Sequence, residues 1–213
     1  MIVELLAADG SERGYRNDAE LAFWKNELGI GTPRFERRVQ PPPDLSHPAM
    51  AVNLDACIQC TRCVRACREV QVNDVIGYAF RGPHSAIVFD EGDPMGESTC
   101  VACGECVQAC PTGALAPAND AYLVPTQKLV SSVCPYCGVG CQLTYHVSDN
   151  KIVRVEGRDG IANHDRLCVK GRFGFDYVMH PQRLTKPLIR REGAPKTANF
   201  TVDPADYSSV FRE

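Results

Sequence analysis

Twelve cysteines stand in this chain of 213 residues, and their spacing is what could do chemistry. Cys57-x2-Cys60-x2-Cys63-x3-Cys67 recurs as Cys100-x2-Cys103-x2-Cys106-x3-Cys110. A further set, Cys134-x2-Cys137-x3-Cys141, is followed by Cys168 after twenty-six intervening residues. Disulfides fit this pattern poorly, because cysteines crowded along one loop have the wrong geometry to pair and disulfide frameworks spread out to close longer loops. Metal ligation in a reducing compartment fits it well.

A cube of the [4Fe–4S] type needs four thiolates arranged tetrahedrally around a compact body. Three cysteines at C-x2-C-x2-C wrap one side of it, because a short loop can turn each sulfur inward. The fourth ligand must come from elsewhere in space. In two-cluster ferredoxins the last cysteine of each copy ligates the other cluster. On that rule Cys57, Cys60, Cys63 and Cys110 hold cluster 1, and Cys100, Cys103, Cys106 and Cys67 hold cluster 2. Pro111 follows Cys110 as the bacterial motif specifies. Arg68 occupies the matching place after Cys67, a departure expected to weaken the turn there. Structural zinc is the competing reading, but it usually takes two separated C-x2-C pairs and fits the repeated triple badly. For Cys134, Cys137, Cys141 and Cys168 spacing alone leaves both a four-cysteine zinc site and a third cube open. Neighbouring clusters favour the cube, since a third redox centre extends a wire. Gly138 and Gly140 would let backbone amides approach its sulfurs and tune its potential.

Such ligands need short elements to hold them, and fifteen prolines with seventeen glycines promise many turns and few long runs. Residues 1–50 carry no cysteine. Asp18 to Leu28 places Leu21, Trp24 and Leu28 at helical spacing before Gly29, which predicts a core-facing helix. Pro41, Pro42 and Pro43 then form a stiff linker. Within 51–125, the runs IGYAF and SAIVFD read as strands around Gly82-Pro83. Within 126–192, KLVSSV, CQLTYHV and KIVRVEG predict a small antiparallel sheet with turns at Cys137-Gly138 and Ser148-Asp149-Asn150. Cys168 falls on a loop before a helix that starts near Lys170 and ends near His180-Pro181. The polar tail, 193–213, is expected to be poorly ordered.

Composition removes several function classes. A net charge of −3 gives no basic footprint for nucleic acid. No apolar run is long enough to span a bilayer, and the N-terminus lacks the pattern of a secretory signal. His47, His84, His146, His164 and His180 form no spaced pair and read as ordinary surface or core residues. Arg62, Arg65 and Arg68 read as a solvated helix face; offsetting a cluster's negative charge is the functional alternative.

The segment Cys134-PYCGVGCQLTYHV, with GRDGIANHDRLCVKGRFGFDYVMHPQRLTKPLIR, closely resembles the first domain of molybdenum- or tungsten-dependent formate dehydrogenases. The doubled cysteine motif before it is similar to the one fused ahead of that domain in NAD-linked formate dehydrogenase alpha subunits. The resemblance runs from about Leu45 to Arg191. It implies that Cys134, Cys137, Cys141 and Cys168 ligate the cluster nearest the pyranopterin, and that Lys170 stands between that cluster and the pterin in electron transfer. It also implies a molybdenum- or tungsten-bis-pyranopterin guanine dinucleotide and its catalytic residues in a region beyond residue 213. The remaining catalytic domain of the same subunit and flavin- and NAD-binding diaphorase subunits are the implied partners. On this reading the chain is a fragment or truncated reading frame of a cytoplasmic oxidoreductase, with no catalytic residue of its own.

The expected fold is therefore α+β: a ferredoxin-like domain for two [4Fe–4S] clusters over 51–125, then a β-rich domain for a third over 126–192. The expected function is an electron relay in formate oxidation to carbon dioxide. An iron–sulfur subunit of NADH-quinone oxidoreductase, a free-standing polyferredoxin and a zinc-binding interaction module are the rivals.

Overall fold

Short apolar runs punctuated by glycine and proline make short elements. The computed structural model describes residues 1–10, 13–181, 183–194 and 211–212 and mixes brief helices with small sheets. The chain divides into two compact units, Met1–Gly174 and Phe175–Glu213.

The first unit begins with α1 (Ile2–Asp9) and α2 (Glu20–Glu27), which pack on each other. Gly29 stops α2 as expected: it takes a left-handed φ of 61°, and its N–H donates to the Asn26 carbonyl. The expected core-facing role of this helix is corrected. None of its residues is buried, and Trp24 and Leu28 are 52% and 57% exposed. Two helices of two turns each cannot cover one another on every side, so the apolar stripe set by Trp24 and Leu28 stays open. The chain between the helices is better anchored. Tyr15 is buried and donates to Asp55 Oδ2 at 2.9 Å, and Arg16 lies over the Tyr122 ring at 4.3 Å.

The repeat folds into two interlocked copies. β1 (Met50–Val52) leads into the first cysteine loop, α3 (Arg62–Arg65) leaves it, and β2 (Ile76–Ala79) follows. β3 (Ala86–Phe89) leads into the second loop, α4 (Glu105–Ala109) leaves it, and β4 (Leu115–Pro117) closes the repeat. Pairing is antiparallel and crosses the copies: β1 lies on β4 with Val52 opposite Leu115, and β2 lies on β3 with Ile76 opposite Phe89. The strand entering one copy is thus bonded to the strand leaving the other. Met50, Met95, Val107 and Leu115, each no more than 2% exposed, fill the space between the two sheets and helices.

The copies differ where their sequences differ. Pro111 cannot continue a helix, and α4 ends with Cys110 in extended geometry. Arg68 imposes no such stop, and α3 runs on into a wider π turn, Ala66–Val70.

The expected antiparallel sheet is present as β5 (Lys128–Val133), β6 (Gln142–Ser148) and β7 (Lys151–Gly157), in that spatial order. Asp149 and Asn150, both with left-handed φ, make the tight turn between β6 and β7. A register shift at His146/Val147, which spacing gave no hint of, bends β6. Leu143, Val155 and Leu167 are the buried apolar residues of this part. The helix expected from Lys170 to His180 is shorter: α5 covers Val169–Phe173. In the second unit a 3-10 turn spans Asp176–Met179, and β8 (Ile189–Arg190) pairs antiparallel with β9 (Phe211–Arg212). The polar tail expected over 193–213 lies mostly outside the described residues. Among the described residues no helix is long and apolar enough to cross a membrane.

Gly157 ends β7 where a side chain has no room, since a Cβ there would run into the Asp165 backbone carbonyl. Gly157→Ala should therefore cost about 1–3 kcal/mol, the usual penalty of overpacking. Gly31→Ala, with nothing within 4 Å, is the control and should change little. Equal thermal midpoints by circular dichroism for the two variants would sink this expectation.

Candidate iron–sulfur centres

Each loop of the repeat holds its sulfurs with the same backbone device. Gln59 and Thr61 in the first copy take φ of 56° and 58°; Ala102 and Gly104 at the matching places in the second take 56° and 69°. A left-handed non-glycine residue costs of order 1–3 kcal/mol and persists only where its surroundings fix it. Here it turns amides toward sulfur. The Gln59 N–H donates to Cys57 Sγ at 3.4 Å, and the Ala102 N–H donates to Cys100 Sγ at 3.4 Å. The strand leaving each copy repeats the pattern, with Val75 N–H donating to Cys67 Sγ at 3.3 Å and Leu115 N–H to Cys110 Sγ at 3.5 Å. Such bonds stabilise the thiolate form, which is the metal-binding form.

The fold brings distant cysteines together. Cys57, Cys60 and Cys63 of the first copy line one small apolar cavity with Cys110 of the second, beneath Ile87 and Leu115. Burial pushes the Cys57 thiol up to about 11 and the Cys63 thiol up to about 12, and the Cys110 sulfur adds to both. Cys106 is driven well above the ordinary thiol range, first by burial and then by Cys103, Cys63, Cys100 and Cys67 around it. Burial also raises Cys100 and Cys103, each of which has Cys67 beside it. Burial raises Cys141, with Cys134, Cys137 and Cys168 adding to the effect. All twelve thiols are free. Crowded, desolvated thiols ionise only if cations neutralise them, so the buried sulfurs of Cys57, Cys63 and Cys106 suit a cationic iron core that would displace their protons. Among the described residues no group of three or more His, Cys, Asp or Glu side chains is arranged to hold a single metal ion.

The third group is built on the small sheet. Cys134 leaves β5 and its N–H donates to the Cys141 carbonyl at 2.8 Å, which closes the loop between β5 and β6. Gly138 and Gly140 within it have φ of 71° and 81°. Cys168 arrives on a segment that Asn163 staples down. The buried Asn163 amide accepts from Gln142 N–H at 2.8 Å and donates to the Gln142, Arg158 and Arg166 carbonyls at 3.0, 3.3 and 3.0 Å. Sequence reading gave this residue no part, since one asparagine in a polar loop carries no spacing signal. Cys137 and Cys168 are exposed, as is Cys60 of the first copy.

Arg172 is the other residue that sequence reading missed. It is only 3% exposed, and its guanidinium leaves α5 for the second cysteine loop. It donates through Nε to the Cys103 carbonyl at 2.8 Å, through Nη1 to Gln108 Oε1 at 2.6 Å and through Nη2 to Glu105 Oε2 at 2.9 Å. Breaking such a buried pair from one side costs about 3–5 kcal/mol, because the abandoned charge stays buried. Gly104 makes the approach possible: a Cβ there would meet Arg172 Cδ and Phe173 Cζ. A second tie runs from the first copy, where Gln71 Nε2 donates to the Leu167 carbonyl at 3.3 Å, next to Cys168.

The remaining candidates are ordinary or exposed. Lys170 lies on the solvent side of α5. Arg62, Arg65 and Arg68 pair with Glu20, Glu69 and Asp74 at the surface. His47 is buried and accepts from the Ala49 N–H; burial lowers its pKa. His146 is buried between Thr126 and Glu156, and His84 and His164 are exposed.

Comparison with known proteins follows this division of the chain. Residues 56–114 match the 4Fe-4S dicluster domain, and residues 127–180 match the molybdopterin oxidoreductase Fe4S4 domain. A protein of Staphylococcus haemolyticus that bears the name formate dehydrogenase is 29% identical over 84% of this chain and 22% of its own length. An NADH-quinone oxidoreductase component of Rhizobium meliloti is 37% identical over 83% of this chain and 21% of its own length. The chain thus spans about a fifth of these relatives. Among solved structures, the NAD+-reducing [NiFe]-hydrogenase in the H2-reduced state superposes with a TM-score of 0.52 at 25% identity, over 60% of this chain and 56% of that one. With both cysteine systems matched in the order in which they occur here, the chain belongs to the molybdopterin oxidoreductase family as an iron–sulfur, electron-transferring segment of it.

Proposed function

We propose that the chain carries three [4Fe–4S] clusters and relays electrons in formate oxidation, between a molybdopterin site outside it and an NAD-reducing partner. Cys57, Cys60, Cys63 and Cys110 hold the first cluster, Cys100, Cys103, Cys106 and Cys67 the second, and Cys134, Cys137, Cys141 and Cys168 the third. The observation that carries this reading is the cavity that three cysteines of one copy share with the fourth of the other. Each cube, when bound, accepts and returns single electrons. The residues around the sites do the rest. The N–H groups of Gln59, Ala102, Val75 and Leu115 stabilise charge on the sulfurs. Met95, Val107 and Leu115 exclude water from the space between the copies. Lys170, exposed on α5, would stand between the third cluster and the pterin in the complete protein and favour the negative charge that passes there.

The two domains of this arrangement are a ferredoxin-like pair of copies over 51–125 and the small sheet with α5 over 126–192. Formate as the electron source rests on the sequence from Cys134 to Arg191 and on the staphylococcal relative. A second reading, a place in an NADH-quinone oxidoreductase, is favoured by the higher identity of the rhizobial relative.

Anaerobic reconstitution should load about twelve iron and about twelve sulfide, as three four-iron cubes require. A reproducible value near eight would remove one site. Cys110→Ser should damage the first-motif cluster and Cys67→Ser the second, read by electron paramagnetic resonance; the opposite assignment would end the crossed arrangement. The loaded chain, reduced with dithionite, should pass electrons to a viologen dye, whereas formate alone should give no turnover. Formate-dependent dye reduction that Cys168→Ser abolishes would make the chain more than a relay. In the complete protein, Lys170→Met should slow electron exit to NAD while leaving the iron content intact; unchanged turnover returns Lys170 to the surface.

A further inference from the structure

The sulfur groups leave open which of the first two clusters exchanges electrons with the third. Both ties between the Cys168 segment and the cysteine repeat lead to residues that surround the second cluster on the reading above. Arg172 donates to the Cys103 carbonyl and to Glu105, the residue before Cys106. Gln71, four residues after Cys67, donates to the Leu167 carbonyl.

The Arg172 tie is also a continuous chain of bonds. The Cys168 carbonyl accepts from the Arg172 N–H at 3.1 Å, and the Arg172 side chain then reaches the Cys103 carbonyl at 2.8 Å. Two hydrogen bonds and one side chain thus connect a ligand of the third site to a ligand of the second. Bonded routes carry electronic coupling better than gaps of the same length. The guanidinium is held too firmly for a packing accident: three different acceptors use its three nitrogens, and Gln108 Oε1 is itself fixed by the Gly157 N–H at 3.0 Å.

We propose that the buried Arg172, clamped by Glu105, Gln108 and the Cys103 carbonyl, is the positioning residue that joins the third cluster to the second, and that Arg172 and Glu105 each offset the other's effect on the second cluster's potential. The inference rests on the three-cluster reading. A single electron leaves the site at Cys168 and is taken up at the site of Cys103; no bond forms or breaks and no proton moves. Electrostatics fixes the sign of each change. Reduction adds negative charge, so a buried cation favours it and a buried anion opposes it. Paired, Arg172 and Glu105 largely cancel at the cluster, and removing either one uncovers the other.

The test is a redox titration of the full reconstituted chain, followed by electron paramagnetic resonance. The second cluster's signal is identified by its loss in Cys100→Ser. Glu105→Gln should move that signal to higher potential, Arg172→Met should move it to lower potential, and the double variant should return it close to the wild-type value. Arg172→Lys, which keeps the charge, should also stay close. The double variant should nevertheless weaken the spin–spin broadening between the second and third signals in the fully reduced chain, because the clamp is gone. Should Arg172→Met fail to take up iron, Glu105→Gln decides alone. A second-cluster potential unmoved by Glu105→Gln, or a shift confined to the first or third signal, overturns the proposal. An iron content near eight in the wild-type chain would instead defeat the three-cluster reading, and the two failures are therefore distinguishable.

Discussion

Three sulfurs turned to one side by a seven-residue loop leave a fourth position that the same loop cannot reach, and that constraint organises the fold. On the three-cluster reading the missing sulfur comes from a residue distant in sequence. The repeat meets this need by exchange. Because β1 bonds to β4 and β2 to β3, the end of each copy is carried back beside the start of the other, and Cys110 comes to share a cavity with Cys57, Cys60 and Cys63. Strands of three or four residues would be poor material for a free-standing sheet. They suffice here because each one locks a loop whose left-handed residues and N–H···S bonds already fix most of its shape.

The same crowding makes the chain a poor holder of empty thiols. Cys57, Cys63 and Cys106 resist ionisation through burial and the neighbouring cysteine sulfurs, so the protein environment alone gives little reason for the thiolate state. A cationic core, when bound, would convert this mutual opposition into attraction, and its assembly would then be coupled to proton release. The outer residues contrast with this interior: Arg62, Arg65 and Arg68 sit in surface pairs with carboxylates, and Arg62 also interacts with the Cys60 and Cys110 sulfurs and Arg68 with that of Cys67.

Much of this was legible in the residues. The cysteine spacing marked the two loops of the repeat and the loop between β5 and β6, because three cysteines of each lie close along the chain. The strands at Ile76, Ala86, Lys128, Gln142 and Lys151 announced themselves through β-branched runs bounded by turn residues. Periodicity failed at α2, since a stripe of Leu21, Trp24 and Leu28 records what a helix could bury and not whether anything covers it. The helix expected up to His180-Pro181 was also overlong, because α5 ends at Phe173 before Gly174. Arg172 and Asn163 were invisible for a different reason. Each acts through a pairing with chain far away in sequence, and a single arginine or asparagine looks the same whether its partners are water or a buried carboxylate.

Arg68, standing where the second copy has proline, reads in the sequence as a defect of the first copy. In three dimensions it is what permits an arm. A proline at that place would terminate the helix at Cys67, as Pro111 does at Cys110, and the chain would turn directly into its outgoing strand. Without it the helix unwinds for another turn, Ala66–Val70, and Gln71 emerges at its end within reach of Leu167. The two halves of a duplicated motif have in this way specialised: one keeps the compact corner, and the other has given up that corner for a tether to the neighbouring domain.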